Sequence, residues 1–160
     1  MTVQIVNIGK NKLPEYAHKG DAGIDLMADF SHPESIKAHD ADWDSVNNYF
    51  VLFSGGRAAI PTGIKVKIPN GYEMQVRGRS GLAINSGIFA HVGTIDSNYI
   101  GEICVIITNL SGEPFYIEQG DRIGQAILNK VRIIDFEQVT ALDTTNRGES
   151  GFGSTGISSH

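Results

Sequence analysis

Apolar and polar residues alternate along much of this chain with the period of two that a half-buried strand requires. Ile64, Val66 and Ile68 alternate with Lys65 and Lys67; Pro69-Asn70-Gly71 then turns the chain into Tyr72, Met74 and Val76, which alternate with Glu73, Gln75 and Arg77. The pattern predicts two half-buried strands joined by a tight turn. Further short apolar runs at Val3 to Ile8, Tyr49 to Phe53, Ile103 to Thr108, Phe115 to Glu118 and Arg122 to Leu128 are separated by Gly, Pro, Asn and Asp. Strands at such spacings are those of a sandwich or jelly roll, and no helical period is sustained, so the fold class is all-β. One short helix is predicted at Leu82 to Ser86, entered from Ser80-Gly81 and stopped by Gly87. The stretch Gly93 to Glu102 reads as a hairpin, because Ile88, Phe89 and Val92 lead into it and Ile103, Val105 and Ile107 lead out.

Two segments leave the pattern. From about Asp29 to Asn48 the chain is polar and acidic, with Asp40, Asp42 and Asp44 around Ala41 and Trp43, and is read as a surface loop inserted between strands, Trp43 anchoring it. From Thr144 to His160 the chain is rich in Gly and Ser, a composition that by itself favours disorder. Yet Phe152 stands alone between Gly151 and Gly153, behind Arg147, which suits a mobile arm that closes over something. The predicted organisation is therefore one domain over residues 1–143 and an arm over 144–160.

Composition narrows the picture. At 160 residues and 41% hydrophobic, the chain can bury one sizeable core. It lacks the run of roughly 20 apolar residues needed for a membrane helix and has no signal-peptide pattern, so a soluble, unsecreted, cytoplasmic protein is expected, or one of the host cytoplasm if the source is viral. Cys104 is the single cysteine, which rules out an intramolecular disulfide; its place between Ile103 and Val105 predicts a buried thiol on a strand. A net charge of −5 argues against non-specific nucleic-acid binding, while leaving room for a small anion held by a few local arginines.

Three places offer phosphate contacts. Arg79-Ser80-Gly81 stands at the predicted helix start, where unpaired N–H groups point outward; the plain alternative is that Ser80 is an N-cap and Arg79 a surface charge. Gly120-Asp121-Arg122-Ile123-Gly124-Gln125 puts a turn before a strand, with Arg122 and Gln125 as donors, or is only a turn with a surface ion pair. The arm Arg147 to Gly156 adds a guanidinium, hydroxyls and backbone amides, without the Gly-Lys-Ser/Thr of a P-loop. Asp96 and Tyr99 share the bend of the predicted hairpin, an arrangement that also occurs in ordinary turns.

In order, Asp21-Ala22-Gly23-Ile24-Asp25-Leu26, Gly78-Arg79-Ser80-Gly81-Leu82-Ala83, Gly93-Thr94-Ile95-Asp96-Ser97-Asn98-Tyr99-Ile100-Gly101, Gly120-Asp121-Arg122-Ile123-Gly124-Gln125 and Arg147-Gly148-Glu149-Ser150-Gly151-Phe152-Gly153-Ser154-Thr155-Gly156 resemble the five ordered motifs of the trimeric dUTP diphosphatases (dUTPases). The resemblance spans Pro14 to Gly156. It implies a jelly-roll homotrimer with arm exchange and active sites at subunit interfaces, hydrolysing dUTP to dUMP and pyrophosphate. That reaction removes dUTP from the DNA precursor pool and supplies dUMP for dTMP synthesis.

Carried over, the resemblance makes Asp96 the base that orients and deprotonates the attacking water. Tyr99 would lie against the deoxyribose, and the backbone of Gly93, Thr94 and Ile95 would read uracil. Ser80, Gly81 and Gln125 would hold phosphate oxygens, supported by Arg79. Arg147 would take the terminal phosphate, Phe152 would stack over uracil, and Gly153 and Ser154 would complete the arm. Asp25 would hold, through water, a magnesium ion chelated by the triphosphate, which fits the ion's tendency to keep its waters.

Two departures stand out. Asn98 occupies a place where the family often has an acid, and the insertion at about 29–48 is longer than the family pattern leads one to expect. That insertion leaves open a protein partner and a regulatory role as an alternative reading. A dCTP deaminase, the nearest rival enzyme, would carry Arg-Ser-Ser and a glutamate in the following helix, where this chain has Arg79-Ser80-Gly81 followed by Leu82, Ala83 and Ile84. A purely structural jelly roll would have no use for Asp96, Tyr99, Arg147 and Phe152 in register.

Overall fold

The computed structural model describes residues 1–149. Its strands are β1 (Gln4–Asn7), β2 (Ile24–Met27), β3 (Lys37–Asp44), β4 (Tyr49–Lys67), β5 (Tyr72–Arg77), β6 (Ile88–Ala90), β7 (Gly93–Ile95), β8 (Glu102–Asn109), β9 (Phe115–Glu118) and β10 (Arg122–Lys130), with one helix, α1 (Ser80–Ser86). They form two antiparallel sheets. The six-stranded sheet runs β1-β4-β8-β6, with β3 and β9 also paired to β4, and the four-stranded sheet runs β2-β10-β5-β7. Alternate side chains of both sheets, among them Leu26, Ile60, Val76, Ile103, Val105, Ile107 and Ile123, fill one core. The all-β jelly roll expected from the alternation is what the chain forms.

The 19-residue β4 organises the larger sheet. It runs unbroken through the Pro61-Thr62-Gly63 segment, where its register with β8 shifts between Pro61 and Lys65. Gly63 has φ +71°, a conformation L side chains seldom adopt, and its amide donates to Oε1 of Glu102 at 2.7 Å. The next turn, at Pro69-Asn70-Gly71, carries the chain from β4 to β5 and so from one sheet to the other, rather than closing a hairpin.

The segment at 29–48 is not a surface loop. Asp29 and Phe30 are buried, Pro33–Ser35 forms a 3₁₀ turn, and Lys37–Asp44 is a strand paired with β4 from Lys37↔Ala59 to Asp44↔Tyr49. Ala41 and Trp43 face the core opposite Leu52 and Phe50, while Asp42 faces out. The polar residues that suggested a loop are one face of an edge strand, where charge discourages further pairing. The Asp44 carboxylate closes the turn by accepting the amides of Val46 and Asn47, each at 2.9 Å. Trp43 does anchor the segment, its ring 5.0 Å from that of Phe30.

The predicted hairpin around Asp96 is also corrected. β7 pairs with β5 in the smaller sheet, whereas β8 pairs with β4 and β6 in the larger. The bend between Ile95 and Glu102 therefore bridges the two sheets. Among the described residues, no helix is long and apolar enough to cross a membrane.

Candidate active site

Strand register assembles the first part of the site. On β10, Gln125 lies between Asp25 of β2 and Arg77 of β5, its partners in the two flanking strands. Its Nε2–H donates to the carbonyl of Gly78 at 2.8 Å, which ties the strand to the chain entering α1. A Cβ on Gly23 would come 2.6 Å from Oε1 of Gln125, so this glycine leaves the space that the amide occupies. The predicted helix forms but starts two residues earlier than expected, at Ser80 instead of Leu82, and is stopped by Gly87 with φ +65°. Its N-cap is Arg79, not Ser80, and no side chain caps it. The Ser80 hydroxyl is thus not spent on the cap.

These elements surround an open pocket of about 460 Å³ lined by Asp25, Arg79, Ser80, Gly81, Gln125 and the neighbouring Leu82, Asn85 and Ser86. Asp25 is the electrostatic centre of its rim. Its Oδ1 lies 3.1 Å from Nε of Arg79 and its Oδ2 3.5 Å from Nη1 of Arg122, while Nη1 of Arg79 donates to the carbonyl of Arg122 at 3.0 Å. Two guanidinium groups and one carboxylate leave a net positive charge beside a row of hydrogen-bond donors, an arrangement suited to a polyanion.

The second part is a separate, largely apolar pocket of about 250 Å³. Gly93, Thr94, Ile95 and Tyr99 line it with Val76, His91, Cys104 and Ile106, among others. β7 pairs on one side only, with β5, so its other edge offers main-chain donors and acceptors to the pocket. Tyr99 folds back over the bend: its amide donates to the carbonyl of Asp96 at 3.1 Å and its hydroxyl to the carbonyl of Glu102 at 2.9 Å. Cys104 is half-buried rather than buried; its surroundings, and secondarily the charge of Glu102, push the thiol up to about 11. It stays protonated and is no nucleophile.

The two pockets share no lining residue. Asp96 is exposed on the bend and lines neither. Arg147 sits beside a turn closed by the Gly148 amide on the carbonyl of Thr145 at 3.0 Å, and it too lines neither pocket. Phe152, Gly153 and Ser154 lie outside the described residues. Among the described residues, no group of three or more His, Cys, Asp or Glu is arranged to hold a metal ion. A single carboxylate such as Asp25 fits an ion that keeps its own waters better than one held directly by protein.

Asp29, which carries no motif that would single it out, is 2% exposed. Its Oδ2 accepts the amides of Lys10 and Asn11 at 2.7 and 3.2 Å and Nε2–H of Gln119 at 3.1 Å; its Oδ1 accepts the amide of Ser31 at 3.0 Å. Burial works to raise its pKa, but these donors together outweigh it and hold the carboxyl down at about 2. Donors this distant along the chain leave no local signature.

The dUTPase family model matches residues 28–156. The deoxyuridine 5'-triphosphate nucleotidohydrolase of Fusobacterium nucleatum is 44% identical over 156 residues, covering 96% of each chain. That of Finegoldia magna is 44% identical over 158 residues, covering 98% of this chain and 99% of its own. Among solved structures, a dUTPase of Staphylococcus bacteriophage 80alpha, determined with dUpNHpp, superposes with a TM-score of 0.80 at 25% identity over 98% of this chain and 99% of its own. A dUTPase of phage phi11 of S. aureus, described as coordinating a structural Mg(II) ion, has the same fold, with a TM-score of 0.72 at 23% identity. With a family match over most of its length and relatives of this identity over nearly all of it, the chain belongs to the dUTPase family.

Proposed function

We propose that this protein is a dUTP diphosphatase, hydrolysing dUTP to dUMP and pyrophosphate by attack of water on the α-phosphorus. The observation that carries this reading is the convergence of Asp25, Arg79, Ser80, Gly81 and Gln125, far apart in sequence, on one cationic pocket. Ser80, Gly81 and Gln125 hold phosphate oxygens, with Arg79 beside them. An incoming triphosphate would compete with Asp25 for the two guanidinium groups, and the freed carboxylate would hold a magnesium ion through water. That ion supplies charge neutralisation when bound.

The edge of β7 recognises uracil. Fixed backbone donors and acceptors reject cytosine because its exchanged polar groups would be left mismatched in a desolvated pocket. Tyr99 lies against the deoxyribose and excludes a 2'-hydroxyl. Asp96 is the general base, a role worth about 10²–10⁴ in rate. Arg147 binds the terminal phosphate, and Phe152, with Gly153 and Ser154, closes over the base as the arm of residues 144–160 expels water.

The working unit is a homotrimer in which each site combines different subunits. Two features support this: the phosphate-binding and base-binding pockets of one chain share no residue, and Ile133, Phe136 and Leu142 are 92%, 92% and 87% exposed beyond the last strand. Such side chains call for a neighbour to cover them. Its substrate belongs to the soluble nucleotide pool, which places the enzyme in the cytoplasm. The deaminase reading fails on α1, whose residues Ser80–Ser86 include no glutamate.

The test is pyrophosphate release from dUTP with magnesium, measured for wild type beside Asp96→Asn. Wild type turns over dUTP and has little activity on dTTP, dCTP or UTP; the variant folds and loses at least about a hundredfold in kcat. An Asp96→Asn protein as active as wild type would remove Asp96 from its role.

A further inference from the structure

We infer that Gly101 and Glu102 are positioning residues that set the discrimination between deoxyribose and ribose, by fixing where the Tyr99 ring lies; the inference rests on the reading of Tyr99 as the residue facing the sugar. Rejecting a 2'-hydroxyl by shape demands a ring that cannot retreat, because a side chain free to rotate by even 1 Å admits the extra oxygen. Tyr99 is 44% exposed, so its packing alone does not hold it.

Three contacts do. The hydroxyl donates to the main-chain carbonyl of Glu102 at 2.9 Å. The ring lies directly over Gly101, where a Cβ would stand 2.9 Å from Cε2 of Tyr99 and closer still to Cζ and the hydroxyl oxygen. Only glycine at this position lets the ring fold down, and the reason is close approach rather than backbone conformation, since Gly101 is not among the glycines with positive φ. Glu102 is in turn pinned, because its Oε1 accepts the Gly63 amide at 2.7 Å at the register shift of β4. Gly63 is buried and itself held, its carbonyl accepting the amides of Ile8 and Gly9 at 2.7 and 3.1 Å, and the position has no room for a side chain, since a Cβ there would stand 2.8 Å from Cα of Gly9. The gate is therefore held by main chain that belongs to the core of the larger sheet. A specificity element on an exposed bend thus acquires the rigidity of a strand.

The test compares kcat/KM on dUTP and on UTP for Gly101→Ala, Glu102→Ala, Glu102→Gln and Tyr99→Ala, with folding checked by circular dichroism. Gly101→Ala pushes the ring off its seat and lowers the dUTP-to-UTP ratio at least about tenfold, mostly through improved use of UTP, which a merely structural defect would not produce. Glu102→Ala lowers the ratio similarly, and Glu102→Gln, whose side-chain carbonyl still accepts the Gly63 amide, restores it. Folded Gly101→Ala and Glu102→Ala proteins with the wild-type ratio, beside a Tyr99→Ala protein whose ratio has fallen, would overturn the inference and leave the role of Tyr99 standing. An unchanged ratio in Tyr99→Ala itself would overturn both.

Discussion

The carboxylate of Asp25 stands 3.1 Å from the guanidinium of Arg79 and holds Arg122 with its other oxygen at 3.5 Å. Asp25 and Arg79 are only partly exposed and Arg122 more so, so the cluster adds little to stability, on the order of 1 kcal/mol or less per pair. Its effect is on where charge sits before the substrate arrives. Asp25→Asn is expected to fold with nearly wild-type stability, to retain dUTP binding and to lose about 10–100-fold in kcat/KM, with a weaker response to magnesium concentration. Titrating activity against magnesium for both proteins checks this; an identical magnesium dependence would assign Asp25 to arginine positioning alone.

Trp43 tests whether the 29–48 segment is scaffold or appendage. Its half-buried ring packs on Phe30, and the strand carrying it extends the larger sheet along β4. Trp43→Ala is expected to destabilise by roughly 2–3 kcal/mol, below the usual range for a fully buried aromatic because part of the ring remains in water. Urea denaturation measures it; a loss of a few tenths of a kcal/mol would mean that the strand contributes little to the fold.

What the sequence disclosed and what it hid divide along one physical line. Strands whose burial alternates cleanly, such as Ile64 to Ile68 and Tyr72 to Val76, were legible, and Phe115–Glu118 falls where the pattern put it, because each residue's exposure is a local property. The helix was legible from Gly87, whose left-handed conformation ends it. The strand at Lys37–Asp44 was hidden because three aspartates outweigh Ala41 and Trp43 in any composition-based reading, although those two already alternate. Which sheet a strand joins is not local at all, so the bend at Asp96 was placed correctly while its flanking strands were paired wrongly. Asp25, Arg79, Ser80, Gly81 and Gln125 were grouped by the order of the motifs, and the register of β2 and β10 brings Asp25 and Gln125 together in the pocket that all five line. The partnership of Asp25 with Arg122 was not, because it crosses from strand to turn.

The region beyond β10 gives a third expectation. After Lys130 the described chain holds no further helix or strand, and the turn at Thr145 to Gly148 is closed by the Gly148 amide on the carbonyl of Thr145. Removing the residues after Asn146 is therefore expected to leave the melting temperature within a few degrees of wild type while activity falls by about two orders of magnitude, through loss of Arg147 and Phe152. Calorimetry and the dUTP assay on the same preparation separate the two effects, and a fully active truncation would refute a closing arm.

Asp29 makes stability depend on pH in a defined window. Its pKa is about 2 in the folded protein against an ordinary 3.8, so the folded state favours the ionised form. A depressed carboxylate contributes stability that is fully present above the unfolded pKa and is lost as pH falls through the folded value, which here means between about pH 4 and pH 2. A lowering of this size corresponds to about 2 kcal/mol. Asp29→Asn keeps one acceptor oxygen, so if it serves the amides of Lys10 and Asn11 its NH2 is turned toward the Ser31 amide, donor against donor, and the change is expected to cost at least that much at pH 7. The variant has no proton to take up at this position. The difference in unfolding free energy between it and wild type should therefore be constant from pH 7 to about pH 5 and shrink as pH falls from 4 toward 2. Urea midpoints at pH 7, 4 and 2.5 test this; a difference that does not change with pH would mean that the cage stabilises by shape and not by the charge of Asp29.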